Sequence, residues 1–140
     1  MNLLHALIRR FEGLRLKAYL CPAGVWTCGY GSTGPDVTPG VQWTAERAEQ
    51  RMQEDAQRFV GAAIKLCPVL PRHGEAKTAA IADFAYNLGA TRLAGSTLRR
   101  KVNAKDWRGA QTELRKWVYG GGVKLPGLVI RREVEARMLD

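Results

Sequence analysis

At 140 residues with 22 Lys or Arg against 13 Asp or Glu, a formal net charge of +9, the chain suits one domain whose folding hides roughly 68 to 70% of its unfolded surface, without disulfide staples or structural metals. Its three cysteines, Cys21, Cys28 and Cys67, are an odd number with no C-x-x-C pair and only two histidines beside them, which argues against a zinc site and fits a reducing compartment during synthesis. Arg9 and Arg10 interrupt the first apolar stretch, so it does not read as a signal peptide, and no run of about 18 apolar residues suggests a membrane span.

Leu3, Leu4, Leu7, Ile8 and Phe11 recur at helical spacing and Gly13 ends the pattern as a C-cap, which puts Glu12 at the end of a first helix. From Leu16 to Gly31 the pattern changes to two short strands around the turn residues Pro22, Ala23 and Gly24. The loop GSTGPDVTPG follows. Thr44 then caps a helix running to about Leu66, with Ala45, Ala48, Met52, Ala56, Phe59 or Val60, and Ala63 on its apolar stripe. Pro68 and Pro71 stop it. Helices are expected at Ala76 to Leu88, near Thr97 to Val102, from Trp107 to Val118 behind an Asp106 cap, and from about Leu128 to Met138. The glycines at 120 to 122 read as flexible. One hairpin among many helices gives an α+β domain with the sheet at one end.

In the second strand, alternation puts Val25, Thr27, Gly29 and Gly31 on one face and Trp26, Cys28 and Tyr30 on the other. Thr27 therefore looks out beside two positions without side chains, a floor suited to a flat, polar polymer such as a sugar chain. The competing reading of those glycines is a bulge or close packing under a helix. Glu12, at the end of the helix dipole that favours cations, is badly placed for a purely structural carboxylate, whereas a field disfavouring the charged form suits a general acid. Trp26, Trp107 and Trp117 read as core, Trp43 as a staple before the long helix, Cys28 as core, and His5 and His73 as exposed.

The stretch FEGLRLKAYLCPAGVWTCGYGSTG resembles the active-site signature of the phage-type lysozymes, glycoside hydrolase family 24, which include endolysins and muramidases. That pattern is a Glu, eight residues, an Asp or occasionally Cys, five residues, then a Thr, and here it falls on Glu12, Cys21 and Thr27. The likeness continues through TAERAEQRMQEDAQ, ADFAYNLGATRL and WVYGGGVKLPGLVIRREVE. It implies a lysozyme-like fold over residues 1–140: a small hairpin lobe at about 12–43 with helix 1 packing on the second lobe, a linking helix at about 44–66, a helical lobe at about 72–140, and a cleft between. It also implies hydrolysis of the β-1,4 bond between N-acetylmuramic acid and N-acetylglucosamine. Glu12 would protonate the leaving oxygen while Cys21 and Thr27 flank the attacking water, in an inverting reaction whose catalytic groups stand roughly 6.5 to 9.5 Å apart. Thr33, Tyr86 and Asn87 are the implied substrate-binding residues.

Two positions depart from that pattern. Cys21 stands where Asp is usual, and Ser32 where many members have His. A thiol with an ordinary pKa near 8.5 is only a few per cent ionised at pH 7. Cys21 therefore needs help from an Arg or Lys, or holds water jointly with Thr27, or attacks carbon directly in a retaining reaction. A catalytically weak or inactive wall-binding module of the same fold is the alternative.

From Arg92 onward there are twelve basic and five acidic residues, so the excess charge is C-terminal and a polyanion is the expected partner. Nucleic acid and the anionic cell envelope attract such a surface equally. The resemblance decides for peptidoglycan and envelope over nucleic acid, with no cofactor and no metal. It implies a monomer made in host cytoplasm and reaching the periplasm and wall through a separate holin, since no transmembrane segment is expected.

Overall fold

The computed structural model describes all 140 residues, which divide into two compact units: residue 2 with residues 4–57, and residues 58–140 with Met1 and Leu3. In the first unit, α1 (Asn2–Glu12) buries Leu4, Leu7 and Ile8 of the predicted stripe, while Leu3 is exposed and Phe11 partly buried, and it ends before Gly13 at φ +70°. β1 (Arg15–Leu20) and β2 (Trp26–Gly29) form an antiparallel pair with Tyr19 opposite Thr27 and Leu20 opposite Trp26. Between Arg15 and Tyr19 the register shifts, the extra length a bulge introduces. The following loop returns to β1 through Ala18 N–H to Val41 O at 2.8 Å and Trp43 N–H to Leu16 O at 2.7 Å. Ala18, Cys28 and Val37 are the buried centre, with Trp26, Val41 and Trp43 packed on it, so Cys28 and Trp26 are core as expected.

Thr44 caps α2 (Ala45–Leu66), its Oγ1 accepting from Arg47 N–H at 3.1 Å. Of the predicted stripe, Ala48, Met52, Ala56 and Ala63 are buried, Phe59 and Val60 are partly buried, and Ala45 is exposed. Arg51 and Asp55, on the side the sequence reads as polar, are buried too.

The second unit is helical. A 3-10 turn (Leu70–His73) leads into α3 (Glu75–Leu88), whose residues Thr78 to Ala85 are all buried, so the middle of this helix is covered on nearly every side. α4 (Ala90–Ala94) fills a stretch without a predicted element. α5 (Thr97–Asn103) is capped by Ser96, and α6 (Trp107–Leu114) by Asp106, which accepts from Gly109 N–H at 2.9 Å. α6 stops four residues before the expected end, because Lys116 and Trp117 bond three residues back and the chain enters a hairpin, β3 (Tyr119–Gly120) and β4 (Val123–Lys124). Gly121 and Gly122 take φ +57° and +79°, the two positive values of the turn that matches strand twist. The GGG stretch is thus a defined hairpin turn. α7 (Pro126–Arg137) starts at Pro126, two residues early, with proline in the first turn, where its missing N–H costs nothing.

α3 and α7 are joined by charge. Asp83, without exposed surface, accepts from Arg131 Nε and Nη2 at 2.8 Å each. Beside them Arg132 and Glu135, both fully buried, pair at 2.9 Å. Asp83 and Glu135 also hydrogen-bond each other: burial pushes Glu135 well above the usual carboxylate range, while the Glu135 bond and the Arg131 guanidinium hold Asp83 below it despite burial. Removing one member of such a pair strands a buried charge, whereas removing both relieves the desolvation cost. Asp83→Asn is expected to lower unfolding free energy by about 3 to 5 kcal/mol, with Asp83→Asn plus Arg131→Met recovering most of it. Urea unfolding of both variants checks this.

Candidate active site

Glu12 is the last residue of α1, and the glycine at position 31 leaves room for its carboxyl group. A Cβ on Gly31 would stand 2.6 Å from Glu12 Oε1 and 3.1 Å from its Cδ, so any side chain there would push the carboxyl group from its place. Gly29 serves something else. Its missing Cβ would stand 3.1 Å from the Trp43 ring and 3.4 Å from Ala48 Cβ, so it lets α2 and Trp43 pack closely.

These two positions correct the expectation of a sugar floor made of Thr27, Gly29 and Gly31. The glycines have φ +69° and +79°, so β2 ends at Gly29 and the strict alternation of strand faces lapses there. Thr27 does not look out either; it is 5% exposed, and its hydroxyl donates to Val25 O at 3.0 Å. Thr33 is exposed, its carbonyl accepting from Arg51 Nη2 at 2.5 Å.

Cys21 is partly exposed at the hairpin tip, where its N–H donates to Val25 O at 3.0 Å and its carbonyl accepts from Gly24 N–H at 2.8 Å. The tip folds back around the sulfur. Hydrogen bonding from the Val25 amide, then from the Ala23 amide, the Thr27 hydroxyl and the Gly24 amide, lowers the thiol pKa against the opposing effect of burial. The donors that lower it are turn amides and a hydroxyl, of the kind that backbone turns offer anions, with no Arg or Lys among them. The other two thiols behave oppositely: burial raises Cys28, and pushes Cys67 up to about 11.

Tyr19 was not among the expected site residues, although it lies opposite Thr27. Burial raises its phenol, and the charges of Glu12 and Cys21 raise it further, against Arg15, whose guanidinium lies 4.3 Å from the ring centroid. It is the side chain that feels both the helix-end carboxyl and the hairpin-tip thiol. Its strand register could have marked it. Arg51 and Asp55 were missed as well; an Arg and Asp four apart on a helix reads as an ordinary surface pair.

Tyr86 and Asn87 belong to the other unit. Tyr86 meets Phe59 edge-on at 5.4 Å. Asn87 is half-buried and its Oδ1 accepts from Arg132 Nη2 at 2.8 Å, which fixes the carboxamide. Trp117 meets Phe84 edge-on, and Trp107 stacks against His73 at 5.0 Å with Lys77 over its ring. His73 is therefore packed where exposure was expected.

The phage lysozyme family profile matches residues 9–135. The chain is 40% identical over 141 residues to an endolysin of Acyrthosiphon pisum secondary endosymbiont phage 1, covering 96% of this chain and 92% of that one. A SAR-endolysin of Bacteriophage PS119 is 38% identical over 89% of this chain and 73% of its own length. Among solved structures, the muramidase domain of SpmX from Asticaccaulis excentricus superimposes with a TM-score of 0.85 at 28% identity, covering 99% of this chain and 95% of that one.

The donors at the hairpin tip have a direct readout. Iodoacetamide should alkylate Cys21 before Cys28 and Cys67, with a rate midpoint lower than that of an unperturbed thiol. Thr27→Val, which removes the hydroxyl beside the thiol, should move that midpoint upward. Peptide mapping by mass spectrometry across pH 6 to 10 gives both numbers.

Proposed function

Because the chain belongs to the phage lysozyme family, we propose that it is an endolysin that hydrolyses the β-1,4 bond between N-acetylmuramic acid and N-acetylglucosamine in peptidoglycan, with Glu12 as general acid. The observation carrying this reading is the pairing, within one compact unit, of a helix-end carboxyl seated against a bare glycine with a hairpin-tip thiol whose acidity is raised by the turn. Glu12 gives its proton to the glycosidic oxygen as the bond to the anomeric carbon breaks. Water attacks that carbon from the opposite face and passes a proton to the Cys21 thiolate, with the Thr27 hydroxyl orienting the pair. The configuration inverts. Cys21 thus takes the part that a carboxylate plays in most two-carboxylate glycosidases.

Thr33 and the Asn87 amide serve as substrate contacts and Tyr86 as an apolar wall in this reading. The Asn87 oxygen is occupied by Arg132, so its NH2 group is left to meet a sugar acetamide. The net charge of +9 concentrates the enzyme on the anionic envelope by long-range attraction. No helix is long and apolar enough to cross a membrane.

Glu12→Gln should lower kcat on purified peptidoglycan by about 10² to 10⁴-fold, the range of a positioned general acid, and Cys21→Ser by much less, because Thr27 and the turn amides still hold the water. Equal abolition by both variants would remove the water-holding role. NMR of the first product should show the inverted anomer, and retention would make Cys21 the nucleophile. Binding to permeabilised cells without clearing would instead indicate a wall-binding module. On whole cells, clearing should weaken as salt rises from about 0.05 to 0.5 M, since screening shortens to a few ångströms over that range.

A further inference from the structure

The turn that receives Glu12 is held from behind by a chain of buried polar groups. Cys28 and Ser32 close it with reciprocal backbone hydrogen bonds of 2.9 Å, one on each side of Gly31 and its neighbours. Ser32, 1% exposed, donates its hydroxyl to Asp55 Oδ2 at 2.7 Å. The other carboxylate oxygen of Asp55 accepts from Arg51 Nε at 3.1 Å. Arg51 then spreads its remaining nitrogens over the same loop, Nη1 to Asp36 Oδ2 and Nη2 to Thr33 O, both at 2.5 Å.

Apart from the Arg51–Asp55 pair itself, every bond in this chain has one end within five residues of Gly31. Arg51 and Asp55 come from one turn of α2, so they share a rigid backbone. A guanidinium is suited to the task because its planar fork fixes direction as well as distance. Buried ion pairs are poor sources of stability, since desolvation offsets their attraction; their geometry is what they supply.

We propose that Ser32, Asp55 and Arg51 are positioning residues for the general acid. They hold the backbone at Gly31 as a fixed seat, and the seat sets where the Glu12 carboxyl can lie. This inference rests on Glu12 being the general acid. Misplacing a catalytic group by about 1 Å can cost 10²-fold in rate without touching substrate affinity. The network should therefore act on kcat and leave KM nearly alone.

The test uses the full chain and purified peptidoglycan, with Ser32→Ala, Ser32→Thr, Arg51→Met and Glu12→Gln compared by steady-state kinetics at a temperature where circular dichroism shows each one folded. Ser32→Ala and Arg51→Met are expected to lose about 10- to 100-fold in kcat with KM changed less than about twofold. Ser32→Thr, which keeps the hydroxyl, should recover most of that loss. If Glu12→Gln is inactive while Ser32→Ala keeps kcat within about twofold of the native chain, the positioning role is wrong and the acid assignment stands. If Glu12→Gln stays active, the assignment itself is wrong. Should Arg51→Met fail to fold, the two Ser32 variants decide the matter, because the lost group is then one hydroxyl; a loss shared by KM, or failure of threonine to restore kcat, counts against the proposal.

Discussion

The N-terminal unit depends on the space left by a missing side chain. Gly31 has no Cβ, and the carboxyl of Glu12 occupies the place where one would be. The same residue holds φ at +79°, a conformation other residues adopt only under strain. Shape and backbone thus make one demand at one position. Around it the turn must be short enough to bring Ser32 back to Cys28, and stiff enough that the seat does not drift.

The polar groups behind that seat explain why α2 is more than a spacer. Its apolar stripe of Ala48, Met52 and Ala56 is buried, while Arg51 and Asp55 reach the loop from the adjoining face. Trp43 lies between these roles: Gly29 lets its ring approach the strand, and the Arg47 and Arg51 guanidinium groups lie 5.4 and 5.6 Å from its centroid. Packing and hydrogen bonding therefore share the same few residues. At the hairpin tip the logic differs, since the turn amides that close the hairpin also lower the thiol pKa. A cysteine in that place obtains from backbone geometry part of what an aspartate has by its nature.

In the second unit the corresponding constraint is the buried quartet of Asp83, Arg131, Arg132 and Glu135. It joins α3 to α7 with directional bonds and reaches Asn87 through Arg132. Asn87 is thereby held by the same network that organises the helices, and its amide cannot rotate without breaking a charge-assisted bond.

Elements with a strong local signal were legible in the sequence. Periodic apolar residues gave α1 and the stripe of α2; Thr44 and Asp106 are the caps their residue types announce; and Pro22, Ala23 and Gly24 lie at the turn between β1 and β2. The family membership was legible too, because a Glu, a Cys and a Thr at fixed spacing survive as a pattern without any coordinates. What chain spacing could not say was which neighbour each glycine was saving room for. Gly29 faces Trp43 and Gly31 faces Glu12, and those partners are 14 and 19 positions away in the chain. The burial of Arg51 and Asp55 was equally hidden, since an i, i+4 pair looks the same on a wet face and a dry one. Local pattern records what a residue prefers; only the tertiary structure decides what stands opposite it, because close approach and desolvation are properties of two segments at once.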